Sequence, residues 1–522
     1  MIRRRLYLEF MRGILIVVLC LLVEVTFCQV VTFNKRMELG CGNTILTGLE
    51  VTDSCYYVTG IARDSITCQL GALFTRYDSL GNLLFYTINI GYETWFPYLR
   101  TNLKNELVSA PYFYDSTGMY GGIFYYDSVG TGAIKPFDHP YTVGTFIRPD
   151  DMRITQDSGY LVTNSINDSS GVGDISILKL DKNVEKEWHI TRGVLNYVEH
   201  TPCVYVDSDN SYIIGYQQDN LSGVNINYTV RSKLEKIDSL GNSVWVYQSP
   251  NTQQIHGVND LIKSKDGGWV IASAWGSERL GATGTWSTPI QEAYVYKLDS
   301  SRNFLWGTKF HSDALTTANF QKIVALEDSS LVAFGTVVRL YPQPNPIYNI
   351  IHGRIVKLSP NGDSIWSREY EYLNAANSAY TIYDAERTPD GGFLICGEAN
   401  IIGTGVHQQG WLLKLDEEGC LVPGCHLVSG VLPTQRPAAL NLLLYPNPTT
   451  DYLNVHYYNP SPQEDLSFRV LDVQGRLLKE YKTYDQSDKT YILSVYDLEA
   501  GVYILELRQK GALIGSEEFL KR

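Results

Sequence analysis

Positive charge is scarce in this sequence. Its 522 residues contain 43 Lys and Arg against 56 Asp and Glu, which gives a formal net charge of −13 at pH 7, and they form no basic stripe. Because phosphate backbones are bound by clustered Lys and Arg, the composition argues against a nucleic-acid partner. Methionine is also rare, with 5 residues, whereas 37 tyrosines and 44 glycines favour β structure with many turns.

Recognisable catalytic motifs are missing as well. The histidines stand singly, and the chain has no His-Glu-x-x-His, no Gly-x-Ser-x-Gly and no phosphate-binding glycine-rich loop. We therefore predict no catalytic residue, no metal ligand and no cofactor. A pair of carboxylates brought together in space, as in glycosidases, stays open. Most Asp residues, however, occupy turn positions, where the side chain caps local backbone N–H groups.

Long apolar runs are confined to the start of the chain. Four arginines lie around the beginning of the apolar segment Gly13–Val23, which is too short to span a bilayer comfortably. This pattern predicts a signal peptide over residues 1–28, with translation starting at Met1 or Met11. Lipidation of Cys28 is the less favoured alternative. We expect no transmembrane segment in the mature chain.

Cysteine is sparse, and export would allow the few that remain to form disulfides. Removing the leader leaves seven of the nine cysteines. Cys420 and Cys425 flank a Leu-Val-Pro-Gly turn, which predicts a disulfide between them. Metal binding by this pair is less favoured, because no second Cys or His pair stands at a zinc-like spacing. The odd count leaves at least one free thiol.

A repeat accounts for much of the remaining sequence. In its clearest copy, Lys236 to Trp245, an apolar residue precedes Asp238, a polar turn follows, and Trp245 stands seven residues after the Asp. This order is typical of a β-hairpin. Further copies run from Asp78 to Phe85, Asp127 to Ile134, Asp181 to Trp188, Asp299 to Trp306 and Ser359 to Trp366.

A second turn precedes each of these hairpins. It begins at Asp157, Asp209, Asp266, Asp328 and Asp390, with degenerate copies at Asp53 to Val58 and Asn105 to Val108. Together the two hairpins make seven units of roughly 50 to 60 residues, each with four short strands. The period predicts an all-β fold, a seven-bladed β-propeller. A stacked β-solenoid is the alternative.

The count of strands predicts how the ring closes. Val30 to Lys35 occupies a fourth-strand position that has no unit before it, whereas the seventh unit loses its pattern after Leu415 to Gly419. We predict that the N-terminal strand completes the last blade of a propeller spanning residues 29–425. Such closure removes exposed sheet edges.

Variable connections join the second and third strands of the units, on the face opposite to the Asp turns. Long loops of this kind often carry function. The regularly placed tryptophans, such as Trp188, are expected to pack between blades rather than to stack on sugars. Trp275 and Trp286 fall outside the repeat frame and are the candidate ligand-binding residues. The predicted loops are Ser165–Gly173, Gln217–Asn227, Trp275–Ile290, Val337–Ile350 and Asn400–Gln409.

The repeat ends before a separate C-terminal module. Residues 426–441 contain Gly, Pro, Thr and Gln and predict a linker. Residues 442–522 contain six alternating strands, which predicts a small Ig-like β-sandwich. Three motifs follow one another there: Tyr445-Pro446-Asn447-Pro448, then Gly475-Arg476, then Gly501 and Tyr503 before a terminal Lys521-Arg522.

These motifs resemble the type A C-terminal sorting domain of the type IX secretion system in Bacteroidota. The resemblance implies export on a signal peptide and passage through an outer-membrane translocon. It also implies processing by a sortase, with the protein released or attached to the outer-membrane surface. Within the module, the two prolines favour an extended entry, and Gly475 and Gly501 are expected to permit tight turns.

The repeats resemble, more loosely, propeller repeats common in secreted Bacteroidota proteins. Their Gly and Trp offsets differ from those of sialidase Asp boxes, so that chemistry does not transfer. We therefore expect a cell-surface or extracellular protein that binds a glycan or a protein without catalysis. A polysaccharide-active hydrolase or lyase with its site on the long-loop face is the alternative.

Overall fold

The computed structural model describes residues 31–522 with short gaps. The gaps are 40, 94–98, 116–117, 128, 137–145, 168–172, 195–196, 221–229, 251–254, 278–289, 311–315, 342–347, 372–377, 402–407, 424, 426–441, 458–465, 474, 484–489 and 510–511. The predicted signal peptide, the predicted linker and Trp286 therefore lie outside the described residues. Within the described part, all 37 elements are β-strands. The chain divides into two compact units, residues 1–423 and 424–522.

The strands of the first unit are short and follow one another through the whole unit. The first fifteen are β1 Phe33–Met37, β2 Ile45–Val51, β3 Cys55–Arg63, β4 Leu70–Asp78, β5 Leu83–Ile90, β6 Tyr92–Glu93, β7 Arg100–Thr101, β8 Leu107–Ser109, β9 Tyr112–Asp115, β10 Gly118–Tyr126, β11 Gly132–Pro136, β12 Phe146–Ile154, β13 Tyr160–Asn167, β14 Gly173–Leu180 and β15 Lys186–Arg192. The next fifteen are β16 Tyr197–Val206, β17 Tyr212–Asn220, β18 Val230–Ile237, β19 Ser243–Gln248, β20 Ile255–Lys263, β21 Trp269–Ser277, β22 Ile290–Leu298, β23 Phe304–Phe310, β24 Thr316–Ala325, β25 Leu331–Tyr341, β26 Tyr348–Leu358, β27 Ser364–Tyr370, β28 Ser378–Arg387, β29 Phe393–Ile401 and β30 Gln409–Leu415.

Antiparallel sheets of four sequential strands dominate this unit. Four sheets have this form: β2–β5, β12–β15, β16–β19 and β20–β23. A larger sheet contains two more such groups, β24–β27 and β28–β30 with β1, joined by the single parallel pair Ile351 and Ala379. Strands β6–β11 form a further sheet in which β10 is central. The predicted all-β, propeller-like architecture is thus present.

The N-terminal strand is the fourth strand of the last group. β1 pairs antiparallel with β30, from Phe33 opposite Lys414 to Met37 opposite Gly410. Side chains reinforce the pairing, because Trp411 Nε1 donates to Asn34 Oδ1 at 2.7 Å. A strand from one end of the unit therefore completes a sheet formed by the other end, as the strand count predicts.

The repeated Asp residues organise the turns after the third strands. Asp238 Oδ1 accepts hydrogen bonds from the backbone N–H groups of Leu240 at 2.9 Å and Asn242 at 2.8 Å. Gly241, between them, has a φ of 84°, a left-handed conformation that glycine adopts without strain. Asp78 and Asp181 make the same pair of bonds in their turns. These carboxylates are therefore engaged locally, as predicted.

The repeated aromatic residues pack against the turn of the following group. Trp188 Nε1 donates to Ser239 O at 2.9 Å, and its ring lies over Gly241. Where Arg302 replaces the glycine, its guanidinium stacks over the Trp245 ring at 5.0 Å. The predicted packing of these tryptophans between sheets is confirmed. The corresponding ring and glycine pairs are Trp306 with Gly362, Trp366 with Gly419 and Phe33 with Gly81.

The connections between second and third strands are shorter than the sequence predicts. β13 continues to Asn167, β25 extends to Tyr341, and β26 already begins at Tyr348. Backbone pairing between β25 and β26 continues past the repeated segment, as far as Tyr341 opposite Tyr348. The predicted loops therefore began two to five residues too early, whereas their last residues differ from the structure by one to three residues.

Cysteines in the first unit form a disulfide that the sequence did not predict. Cys41 and Cys68 are bonded, with their Cα atoms 5.5 Å apart. Cys420 and Cys425 are each disulfide-bonded as well, and their pairing with each other stays a prediction. In the described part of the chain, Cys55, Cys203 and Cys396 are buried free thiols.

The second unit consists of two sheets. Its strands are β31 Leu442–Tyr445, β32 Tyr452–Tyr457, β33 Leu466–Asp472, β34 Leu477–Thr483, β35 Thr490–Ser494, β36 Gly501–Gln509 and β37 Ala512–Lys521. One sheet has the order β31-β32-β35 and the other β34-β33-β36-β37. Both contribute to one apolar core, in which Leu453 and Val455 from the first sheet join Phe468 and Leu505 from the second.

Candidate functional site

A β-bulge interrupts the first strand of most groups at the same place. First strands of neighbouring groups contact one another, so they form the inner side of the unit. The register shifts fall at Leu46/Gly48, Pro149/Asp151, His200/Cys203, His256/Asp260, Phe320/Lys322 and Ile382/Asp384. Bulges re-aim side chains and are common beside binding sites. The side chains at the bulges and directly after them define the candidate site.

After the bulges on the first strands lies a set of charged side chains, here called the axial cluster, which Arg100 of β7 joins. Its members are Glu50, Arg100, Asp151, Arg153, Asp260, Lys322, Asp384 and Glu386. Its three aspartates each accept a backbone N–H from the first strand of the next group. These bonds are Val204 N to Asp151 Oδ2 at 2.9 Å, Ile323 N to Asp260 Oδ2 at 3.0 Å and Leu49 N to Asp384 Oδ2 at 3.1 Å.

Cations in the axial cluster neutralise these carboxylates. Lys322 Nζ lies 3.3 Å from Asp384 and 3.8 Å from Asp260, and all three side chains are at most 9% exposed. Arg153 lies 3.4 Å from Asp151 and 3.8 Å from Asp260. The Arg153–Asp260 pair reaches past the intervening group β16–β19. The inner strands are therefore joined by one buried ionic network.

Glu386 has an unusual environment in this network. Its Oε2 accepts Val51 N at 3.0 Å, and its Oε1 lies 3.6 Å from Arg100. Burial raises the pKa of the Glu386 carboxyl to about 8, with Arg100 opposing the shift and the charge of Asp384 adding to it. Burial likewise raises the pKa of Asp151, against the opposing charge of Arg153. A carboxyl that keeps its proton near neutral pH can donate it.

The bulges themselves carry a second set of side chains, here called the mouth ring. It comprises Thr47, Asp150, Thr201, Asn259, Gln321 and Tyr383. All but Thr47 are partly exposed, whereas the residues that begin the next layer, Asp151, Cys203, Asp260, Lys322 and Asp384, are buried. First strands run towards the Asp turns, so the mouth ring lies nearer the opposite face, where long loops are predicted.

Hydrogen bonds from the second strand of the same group, or from the first strand of the next group, hold the mouth-ring side chains in place. Asp150 Oδ2 accepts from Ser165 Oγ at 2.6 Å, and Asn259 Nδ2 donates to Phe320 O at 2.7 Å. Tyr383 Oη donates to Glu398 Oε1 at 3.2 Å. The ring therefore presents oriented hydroxyl, amide and carboxylate groups.

Trp275 is not in a loop, contrary to the prediction. It lies in β21, where it pairs with Ile255 and with Glu292. Its ring packs edge-on against Tyr294 at 5.2 Å, and Lys309 Nζ stands 3.6 Å from its centroid. β21 continues beyond the repeated segment and therefore includes Trp275. Its role as a ligand-binding residue stays a prediction.

The axial cluster was missed by sequence reasoning, although a signal exists. A charged residue stands six positions before the turn Asp in four repeats, within the first strand of the group. The pairs are Asp151 and Asp157, Asp260 and Asp266, Lys322 and Asp328, and Asp384 and Asp390. Buried charges at one repeated position indicate mutual pairing.

No group of three or more His, Cys, Asp or Glu side chains among the described residues could hold a metal ion. No described helix is long and apolar enough to cross a membrane.

In the second unit, the first predicted motif docks onto the last strand. Asn447 Nδ2 donates to Glu518 O at 3.0 Å, and Asn447 Oδ1 accepts Leu520 N at 2.8 Å. Backbone bonds continue the contact, from Thr449 N to Leu520 O at 2.8 Å and from Arg522 N to Thr449 O at 2.9 Å. The side-chain amide thus replaces a strand partner for β37.

The other two motifs shape the opposite sheet. Gly475 has a φ of 78° in a turn closed by Arg476, whose Nε lies 2.6 Å from Asp472. Gly501 is instead the first residue of β36 and is not one of the glycines with a positive φ. The expected tight turn therefore holds for Gly475 alone. Tyr503 donates from Oη to Glu499 O at 2.8 Å and stacks on Phe519 at 5.6 Å.

This C-terminal module matches a known family. Residues 443–517 match the family described as the secretion system C-terminal sorting domain. The chain carries a C-terminal sorting domain. It is therefore a secreted or cell-surface-attached protein, and its sorting domain implies interaction with the secretion machinery. No curated protein matches the sequence.

Several solved structures resemble the chain at low identity. The extracellular domain of a protein described as a hybrid two component system from B. thetaiotaomicron has 9% identity and a TM-score of 0.41, covering 92% of this chain and 55% of that one. An ulvanlyase, a polysaccharide lyase, has 9% identity and a TM-score of 0.46, covering 74% and 97%. An α-L-arabinanase from Penicillium chrysogenum has 13% identity and a TM-score of 0.37, covering 62% and 93%. The chain spans about half the length of the first of these proteins.

Proposed function

We propose that this protein is an extracellular binding or adhesion protein for a glycan or a protein, without catalytic activity. Its binding module is a seven-bladed β-propeller over residues 29–425, closed by the N-terminal strand. A signal peptide over residues 1–28 and the Ig-like sandwich over residues 442–522 deliver it through the type IX translocon, where a sortase processes it. Residues 426–441 link the two modules.

A repeated contact supports seven blades. In each seam an outer strand contacts the turn of the next group, and the described residues supply seven such seams. The contacts are Phe33 with Gly81, Asn89 with Gly130, Lys135 with Asn183, Trp188 with Gly241, Trp245 with Arg302, Trp306 with Gly362 and Trp366 with Gly419. Phe33 belongs to the N-terminal strand and Gly81 to the first group, so the series returns to its start.

The observation that favours binding over catalysis is the use made of the central carboxylates. Asp151, Asp260 and Asp384 each accept a backbone N–H of the next group and pair with Arg153 or with the buried Lys322. Breaking one of these ion pairs is energetically costly, because it leaves a buried charge without its partner. The three carboxylates serve the inner strands as connectors.

A glycan array and an extracellular-protein array test the binding function. We expect the purified full chain to bind one class saturably and to release no product from it. Turnover of a bound polysaccharide would contradict the proposal.

A polysaccharide-active hydrolase or lyase is the second candidate, and Glu386 favours it. Its raised pKa gives a carboxyl that retains a proton near neutral pH, and its side chain is 25% exposed. A raised pKa of this kind is the property of a general acid. Product formation by the wild-type chain that is abolished in Glu386→Gln would establish this candidate in place of the first.

The delivery route has its own test. Deleting residues Tyr445 to Arg522 should leave the protein inside the cell envelope, because the sorting motif and its docking strand are removed together. Unchanged surface appearance of the truncated protein would refute the route. Alkylation of both Cys420 and Cys425 without reductant would refute their predicted pairing.

A further inference from the structure

We propose that the mouth ring is the ligand-binding surface of this protein and that its ligand is a neutral carbohydrate. This inference rests on the proposed binding function and adds its location and chemical class. It is independent of Trp275 and of the loops outside the described residues.

The first support is the recurrence of one backbone irregularity. Six first strands shift register at the same place, and five of the six bulges offer a partly exposed polar side chain. A bulge weakens strand pairing, so its repetition needs a purpose beyond building the sheet. Here the bulges bring side chains from different groups to one end of the inner strands.

The second support is the floor beneath the mouth ring. Directly below it, the buried network of Lys322 with Asp260 and Asp384 connects the inner strands. Five side chains of the bulge layer are partly exposed, whereas Asp151, Cys203, Asp260, Lys322 and Asp384, which follow the bulges, are buried. A ligand would meet a rigid base at the mouth ring.

The chemistry of the ring selects the ligand class. Its partly exposed groups include a carboxylate at Asp150, amides at Asn259 and Gln321 and a phenol at Tyr383. Such planar amides and carboxylates match the paired hydroxyls of a sugar ring, and the Tyr383 ring adds an apolar face. The ring contains no cation, and the axial cluster below has five carboxylates against three cations. Uronic and sulfated glycans are therefore disfavoured.

The test uses binding of the full chain to immobilised oligosaccharides. The neutral set contains glucan, mannan, xylan and galactan fragments, and the acidic set contains polygalacturonate and heparin fragments. For the best neutral ligand, we expect Gln321→Ala and Tyr383→Phe each to weaken binding at least about tenfold, since each removes a hydrogen-bonding group. Gln69→Ala is the matched control, because Gln69 is an exposed amide in the connection between β3 and β4, on the same face but outside the inner strands.

The outcomes separate this inference from the proposed function. Loss of neutral-glycan binding in the two ring variants, with unchanged binding by Gln69→Ala and unchanged melting temperatures, supports the mouth ring. Full binding by the ring variants overturns the inference and leaves the binding function standing. Selective capture of acidic glycans overturns the ligand class, and binding to proteins alone does the same. Failure to bind any glycan or protein overturns both proposals.

Discussion

Alanine substitution at three turn glycines tests whether the contact between an outer-strand aromatic ring and the turn of the next group holds the groups together. Gly267, Gly241 and Gly362 have φ values of 82°, 84° and 88°, so alanine meets the same backbone strain at each. Their surroundings differ. An added Cβ would lie 3.8 Å from its nearest neighbour at Gly267, 3.3 Å from the Trp188 ring at Gly241 and 2.5 Å from the Trp306 ring at Gly362.

The left-handed conformation alone costs an L-residue about 1–2 kcal/mol, which is the whole expected loss for Gly267→Ala. Overpacking a well-filled contact adds about 1–3 kcal/mol. We therefore expect Gly362→Ala to lose about 2–5 kcal/mol of unfolding free energy, with Gly241→Ala between the two. Arg302 occupies the corresponding position at a φ of 70°, which shows that the backbone conformation itself tolerates a side chain.

Urea unfolding followed by tryptophan fluorescence measures the three variants under the same conditions. The three variants should show the same dependence of unfolding free energy on urea concentration, so that differences between their urea midpoints report differences in stability. Equal losses at all three sites would show that the rings give no resistance. The seams would then not depend on aromatic packing, and the reasoning for a closed ring would lose its main support.

Three other predictions concern charge and sorting. Because the folded state raises the pKa of Glu386 to about 8, it keeps a proton that the unfolded chain loses, and stability should fall as pH rises from about 5 to 8. Glu386→Gln should reduce the slope of stability against pH, by at most about 1.4 kcal/mol per pH unit. Parallel stability profiles for the wild type and the variant would refute the raised pKa of Glu386. Lys322→Met should lower the free energy of unfolding by about 3–5 kcal/mol, because it leaves the buried Asp260 and Asp384 without their cation. Lys297→Met should lower it by under about 1 kcal/mol, because its partner Asp266 is 53% exposed. Similar melting temperatures for these two variants would contradict a buried network. Asn447→Ala should remove two bonds to the last strand, weaken its docking by about 1–2 kcal/mol and speed amide exchange in Ala512–Lys521; unchanged exchange there would exclude the docking role.

Local features of the fold could be predicted from the sequence because they depend on nearby residues. The Asp238 carboxylate caps N–H groups two and four residues away, and Gly241 supplies the left-handed conformation that this turn needs. The pairing of β1 with β30 could be predicted too, since one strand was missing at each end of a regular series.

The ends of the strands could not be predicted in the same way. Trp275 looked like a loop residue because it falls outside the repeat, yet it continues β21. Strand length is decided by whether the neighbouring strand also continues, and that neighbour lies outside the local pattern. The Cys41–Cys68 disulfide escaped prediction for a related reason, because its connectivity depends on the path of the chain between β1 and β4.

By itself, the sequence determined the repeat, its turns and the sorting module, because each depends on residues a few positions apart. It also determined the closing strand, because a regular series that lacks one strand at each end has one way to complete its last group. Only the tertiary structure decided the axial cluster and the mouth ring. Arg153 and Asp260 stand more than a hundred residues apart, and they meet because the first strands of separate groups share one interior. The bulges that orient Asp150 and Tyr383 depend on how two neighbouring strands pair, and the sequence of one strand does not specify that register.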